Sequence, residues 1–175
     1  MGLFDQIVGA LSDPNREASN TQLNDILSTL QQLTNHQNVS SQTTQTALSV
    51  LGRYVRSALQ QKRSNQGNES VQAFVNQYSG TGRNPQAVTS LFSPQQQTQI
   101  AEAISGRTGI DAATIESLLP ALVPLVLNFL KTGTSTQNPQ QDSNSVLNSF
   151  LDADRDGDVD VADAMRLAGQ FLQNR

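Results

Sequence analysis

The residues of this chain best suited to chemistry are six aspartates that stand close together near position 155. With one arginine among them, residues 152–163 carry a formal charge of −5, whereas the whole chain of 175 residues carries −4. The rest of the chain therefore sums to +1. Carboxylate oxygens at alternate positions are the ligands that Ca²⁺ prefers, because this hard ion takes about 6–8 oxygen ligands. The acidity is local, and it indicates a metal site.

The spacing of these aspartates matches a loop that wraps around an ion. With Asp152 as position 1, Gly157 falls at position 6, where the backbone must turn sharply and glycine does so most easily. This is the EF-hand pattern, and the predicted cofactor is one Ca²⁺. Its predicted ligands are Asp152, Asp154, Asp156, the backbone carbonyl of Asp158, Asp160 directly or through a water, and Asp163.

The last ligand position departs from most EF-hands, which use a bidentate Glu there. Asp163 is one methylene shorter, so the loop must contract for both oxygens to reach the ion. The pattern D-x-D-x-D-G-x-V-x-x-x-D is similar to the repeats of dockerin modules, which also end in Asp but carry two loops, whereas this chain has one. Because the backbone around Val159 then lacks a partner strand, we expect it to pack on the body or on another chain, for example in a homodimer.

Helical periodicity dominates the remainder and predicts an all-α fold with a bundle-like body. Apolar residues recur at helical spacing in residues 21–34 and 42–63, and no stretch alternates with period two. Asn68 is a candidate cap for a third helix, and Asn84-Pro85 and Ser93-Pro94 each predict a cap followed by proline at the first helical position. The charged residues of the second helix are predicted to be solvated; they are Arg53, Arg56, Lys62 and Arg63.

The most apolar segment, LLPALVPLVLNFL at 118–130, is shorter than the ~20 apolar residues of a membrane span. It follows Asp111, a candidate cap, and its two prolines each lack a helical donor. We therefore expect no membrane span but a buried pair of helices, divided or kinked at Pro120 and Pro124.

A composition change divides the chain. Residues 132–144 are small and polar, as in a flexible linker. They separate a helical domain at 1–131 from a helix-loop-helix module at 145–175, in which apolar stripes flank the acidic loop. The stripe residues are Val146, Leu147 and Leu151 before the loop and Ala164, Leu167, Ala168 and Phe171 after it.

The body also resembles a known family. MGLFDQIVGAL at the start and TGIDAATIESLLPALVPLVLNFLK at 108–131 are similar to the bacterial YidB-like domain of unknown function, over most of residues 1–131. The resemblance implies an all-helical fold. It implies no activity, because that family has no assigned catalytic residues.

Several function classes are disfavoured by what the chain contains. It has no cysteine and one histidine, His36, which has no acid-base partner at a recognisable spacing and is expected in a surface loop. No catalytic motif appears, so we predict that the protein is not an enzyme. The nearly neutral body argues against nucleic acid as a partner. The start of the sequence lacks a secretory signal, which favours the cytoplasm.

These observations predict a calcium-binding, non-enzymatic protein with a structural or interaction role. The alternative is a helical adaptor whose body binds a protein partner and whose loop is only a calcium-stabilised tail. Removal of residues 132–175 would separate the two, since the adaptor would still bind its partner.

Overall fold

The computed structural model describes residues 20–36, 38–132 and 144–152, together with Gly9, Met165 and Gln170. This part of the chain forms helices and no strand, which confirms the all-α prediction. The seven helices are α1 (Asn20–His36), α2 (Ser41–Gln66), α3 (Asn68–Tyr78), α4 (Pro85–Leu91), α5 (Pro94–Thr108), α6 (Ala112–Lys131) and α7 (Ser145–Asp152).

Helix α6 lies in the middle of the fold. Every residue from 121 to 130 is buried, and all six other helices of the described part pack against α6. A helix that is apolar on all sides belongs in a core, because no face of it gains from contact with water. The core therefore forms around α6.

The two prolines do not divide this segment, so the prediction of a helix pair is wrong. Proline has no N–H, and Pro124 therefore leaves the carbonyl of Pro120 without its partner in the helix. The backbone N–H of Asn84 donates to that carbonyl at 2.7 Å, and the N–H of Gly80 donates to the carbonyl of Pro124 at 3.3 Å. The N–H of Asn84 thus replaces the helical donor that Pro124 lacks, and the N–H of Gly80 adds a second contact to α6.

These donors come from the connection between α3 and α4, residues 79–84. Arg83 in the same connection donates from Nη2 to the carbonyl of Ser117 at 2.7 Å. Asn84 also caps α4, since its Oδ1 accepts from the N–H of Gln86 at 3.1 Å and of Ala87 at 3.3 Å. Asn84 therefore starts one helix and completes another.

The other predicted caps are largely as expected. The Oδ2 of Asp111 accepts from the N–H of Ala113 at 3.1 Å, and Ser93 forms a reciprocal capping box with Gln96. Asn68 is a correction: it is the first residue of α3, and no side chain caps that helix. Gly67 precedes it with φ of 86° and ψ of 169°, a positive-φ conformation that glycine adopts without strain and that ends α2 sharply.

The basic residues of α2 are only partly as predicted. Arg53 is exposed, but the guanidinium carbon of Arg56 lies 4.9 Å from the centre of the Phe150 ring. The Nζ of Lys62 lies 4.9 Å from the centre of the Phe74 ring. Both cations thus cover aromatic side chains and are not simply solvated.

Helix α6 is also the helix of the described part that meets the length and composition criteria for a membrane span. It has 20 residues, and its most apolar window has a mean hydropathy of 1.7. Of that window, 61% is buried inside the fold. A core helix has the same properties, so the hydropathy is accounted for by packing.

Replacement of Asn84 by Ala should destabilise the fold, because the first N–H groups of α4 lose their acceptor. We expect the free energy of unfolding to fall by about 1 kcal/mol, as for other lost caps. Urea denaturation measures the change. Asn84→Ser is the matched control, since its hydroxyl can still cap the helix, and equal stability of the Ala and Ser variants would contradict the role of this cap.

Candidate functional site

The helix that leads into the acidic loop is α7, and it ends at Asp152, the first predicted ligand. The remaining predicted ligands lie outside the described residues: Asp154, Asp156, Asp158, Asp160 and Asp163. The ligand set and the Ca²⁺ that it would hold therefore stay predictions.

Helix α7 is held in the core by its apolar face. The predicted stripe residues Val146, Leu147 and Leu151 are buried, and Phe150, which the pattern did not single out, is buried with them. Beyond the loop, Met165 is 2% exposed and belongs to the same core cluster. Residues on both sides of the loop are thus anchored in one hydrophobic core.

The start of α7 is fixed by a buried amide. Asn144 donates from Nδ2 to the carbonyl of Leu130 at 2.9 Å, and its Oδ1 accepts from the N–H of Leu147 at 2.9 Å. It therefore caps α7 and at the same time binds the last turn of α6. Thr132 is also buried, and its hydroxyl donates to the carbonyl of Phe129 at 2.7 Å. Both ends of the predicted linker thus contact the body, while residues 133–143 lie outside the described part.

The end of α7 is bound by α2. The Nε2 of Gln60 donates to the carbonyl of Leu151 at 2.6 Å, and Arg56, one turn earlier on α2, lies over Phe150. Sequence reasoning did not single out Gln60, because it is one of many glutamines and its partner is 91 positions away. No local pattern could have identified this contact.

The described residues contain no group of three or more His, Asp or Glu side chains that could hold a metal ion. His36 is exposed and is the last residue of α1, so the expectation that it lies in a surface loop is wrong: the helix extends two residues beyond the predicted end at 34.

A small apolar depression of about 30 Å³ lies between α1, α2, α5 and α6. We call it the apolar depression. Thr44 is the one polar residue among those that line it. The sequence did not predict this depression, because its lining residues come from four different helices and the connections beside them. The lining residues are Leu30, Leu33, Val39, Thr44, Ala47, Ile104, Ile110, Ile115, Leu118 and Leu122.

The described part of the chain is thus all-helical and is built around one helix whose residues 121–130 are all buried. The model of a family described as bacterial protein of unknown function (DUF937) matches residues 4–133, and the chain belongs to this family. This match confirms that the body belongs to a bacterial family of unknown function, as the resemblance implied. The acidic loop lies beyond the matched residues. Comparison with curated proteins and with solved structures gave no match.

Replacement of Asn144 by Ala should loosen α7, because the buried carbonyl of Leu130 and the N–H of Leu147 both lose their partner. We expect the free energy of unfolding to fall by about 1–3 kcal/mol, the cost of leaving buried polar groups unsatisfied. Chemical denaturation measures this loss. Asn24→Ala, at an exposed position of α1, is the control and should change stability by less than about 0.5 kcal/mol. Equal unfolding midpoints for the two variants would contradict the anchoring role.

Proposed function

We propose that this protein binds one Ca²⁺ in the loop at residues 152–163 and has a structural or interaction role without catalysis. The observation that carries the proposal is the ligand spacing, with Gly157 at the turn and carboxylates at the alternate positions. The ligands would be Asp152, Asp154, Asp156, the carbonyl of Asp158, Asp160 and Asp163.

The charge of the loop supports a metal ion. Six neighbouring carboxylates repel one another, and a compact loop brings them closer. One Ca²⁺ would change the local charge from −5 to −3 and would give the carboxylates a common partner. The +1 carried by all other residues is too small to balance the loop by itself.

The anchoring of the loop supports a structural role. Leu151 is 1% exposed and Met165 is 2% exposed, so the chain is held in the core on both sides of the proposed ligands. An ion that binds the folded loop and not the unfolded chain stabilises the folded state by mass action. Calcium binding would therefore stabilise the core of the body through α7.

A second candidate is a helical adaptor that binds a protein partner through the body. The observation that favours it is the apolar depression, around which Leu30, Leu33 and Leu118 are only half-buried. In that case the calcium loop is a stabilised tail. Both candidates are non-enzymatic, need neither nucleic acid nor a membrane span, and are proposed to act in the cytoplasm.

Calcium binding is tested by calorimetric titration of Ca²⁺ and Mg²⁺ into chelator-treated protein. We expect a single saturable Ca²⁺ site and a higher melting temperature with Ca²⁺. Asp152→Ala and Asp156→Ala should abolish both effects, since each removes a ligand from positions 1 and 5 of the loop. Asp25→Ala is the control, because it removes the same charge from an exposed position of α1 and should bind as the wild type does.

The absence of heat and of any melting shift in the wild type would exclude the calcium proposal. A site that survives in both loop variants would show that Ca²⁺ binds elsewhere. Micromolar affinity would favour sensing, and affinity near millimolar would favour a structural ion.

Point substitutions separate the two candidates better than removal of residues 132–175. That removal would take away Leu147, Phe150 and Leu151, which are core residues, and the body would lose stability for this reason alone. Leu118→Glu instead places a charge at the edge of the apolar depression, where the side chain is half-buried.

If the adaptor role is correct, proteins cross-linked to the wild type in bacterial lysate should be retained in Asp156→Ala and in chelator, and lost in Leu118→Glu. Mass spectrometry of the cross-linked species measures this. Partners that are lost in Asp156→Ala or in chelator, and retained in Leu118→Glu, would contradict the adaptor and favour a calcium-dependent interaction.

A further inference from the structure

Half-buried apolar side chains are concentrated around the apolar depression. Among the half-buried leucines and isoleucines that pack against the core of the described part, only Leu91 lies elsewhere. The others line the depression: Leu30, Leu33, Ile110 and Leu118. Removing apolar surface from water is favourable, so a cover over this rim would stabilise the fold. The depression is therefore the surface of the described part that gains most from an apolar partner.

The size of the depression indicates what kind of partner fits. Its volume of about 30 Å³ is far below the roughly 300–1,000 Å³ of a small-molecule pocket. It has room for the end of one side chain, and the half-buried residues around it form a wider apolar rim. An amphipathic helix fits this shape, because it lays a stripe of apolar side chains across a surface and inserts one of them.

The chain itself contains a segment of this chemistry, LFDQIVGAL at residues 3–11. Its apolar residues recur at helical spacing, which is typical of an amphipathic helix. They are Leu3, Phe4, Ile7, Val8 and Leu11. Of this segment the structure describes Gly9, which is helical and exposed, with open space where a Cβ would lie. In a helix of 3.6 residues per turn, Gly9 falls on the face opposite the apolar stripe. The exposure of Gly9 thus agrees with a helix whose stripe faces the body.

The connection between this segment and α1 is long enough to bring it to the depression. From Leu11 to Asn20, the first residue of α1, an extended chain spans up to about 30 Å. Helix α1 rises about 20 Å between Asn20 and Leu33, which lies at the depression. The segment can therefore fold back along α1. The family match begins at residue 4, so the segment belongs to the same conserved unit as the helices that form the depression.

We propose that residues 3–11 dock on the apolar depression of their own chain as an amphipathic helix, with the apolar stripe on the rim and Gly9 in water. A segment tethered this close to its site has an effective concentration on the order of millimolar, so a weak contact keeps it bound. A protein partner at the same surface must displace it. Docking would thus regulate the surface that the second candidate function uses, and it does not depend on calcium binding.

The test measures the distance between the segment and the body in the full chain. Since the sequence contains no cysteine, spin labels can be attached at Gly9→Cys and Glu116→Cys alone. Both positions are exposed, and Glu116 lies two residues before Leu118 on α6. Pulsed electron paramagnetic resonance gives the distribution of distances between the labels. We expect one narrow distribution centred within about 25 Å, or two helix diameters.

Two substitutions should release the segment, one on each side of the contact. Ile7→Glu places a charge in the apolar stripe, and Leu118→Glu places one on the rim of the depression. Each should broaden the distribution and lower the ratio of docked to undocked molecules at least about tenfold, because a buried aliphatic side chain is lost from the contact. The matched controls add the same charge one position away, at Gln6→Glu and at the exposed Ser117→Glu, and should keep the narrow distribution.

A broad distribution without these substitutions would overturn the proposal, as would equal distributions for Ile7→Glu and Gln6→Glu. The Ile7→Glu arm is decisive even if Leu118→Glu lowers the stability of α6. Dilution with an excess of unlabelled protein distinguishes a second copy as the occupant. The narrow distribution should persist on dilution, and its loss would show that the segment docks on another chain.

Discussion

The burial of residues 121–130 of α6 on all sides is the constraint on which the described structure depends. Residues 121–130 expose no face to water, so the other helices must cover them from every direction. The same helix contains Pro120 and Pro124, and burial would leave the freed carbonyl of Pro120 unsatisfied at a high cost. The connection at residues 79–84 supplies the missing donor through the N–H of Asn84, so the core and the connection that packs on it depend on each other.

Helix α7 completes this core and also leads into the acidic loop. Its apolar face covers α2 and α6, its first turn is tied to the end of α6 through Asn144, and its last turn is bound by Gln60. A change in the loop that moves the end of α7 would therefore change the packing of α7 against α2 and α6. Through these contacts of α7, the proposed calcium ion would stabilise the body.

The membership in a bacterial family of unknown function covers the body and not the acidic loop. The body offers a stable helical scaffold and a small apolar depression, and the loop offers a set of hard oxygen ligands. The apolar depression corresponds to the proposed role in partner binding, and the aspartates of the loop correspond to the proposed role in calcium binding. Because both ends of α7 are bound to the body, a calcium ion in the loop would also stabilise the helices that form the apolar depression.

Local patterns in the sequence determined the helical class and most helix ends, because periodicity and capping involve residues within four positions of one another. Asn84, Ser93 and Asp111 could thus be assigned as caps from the sequence alone, as could the spacing of the aspartates. Only the tertiary structure decided that α6 continues through both prolines, since the donor for Pro120 comes from Asn84 in another part of the chain. The contacts of Gln60 with Leu151 and of Arg56 with Phe150 were decided in the same way, because packing alone brings together residues that are about ninety positions apart.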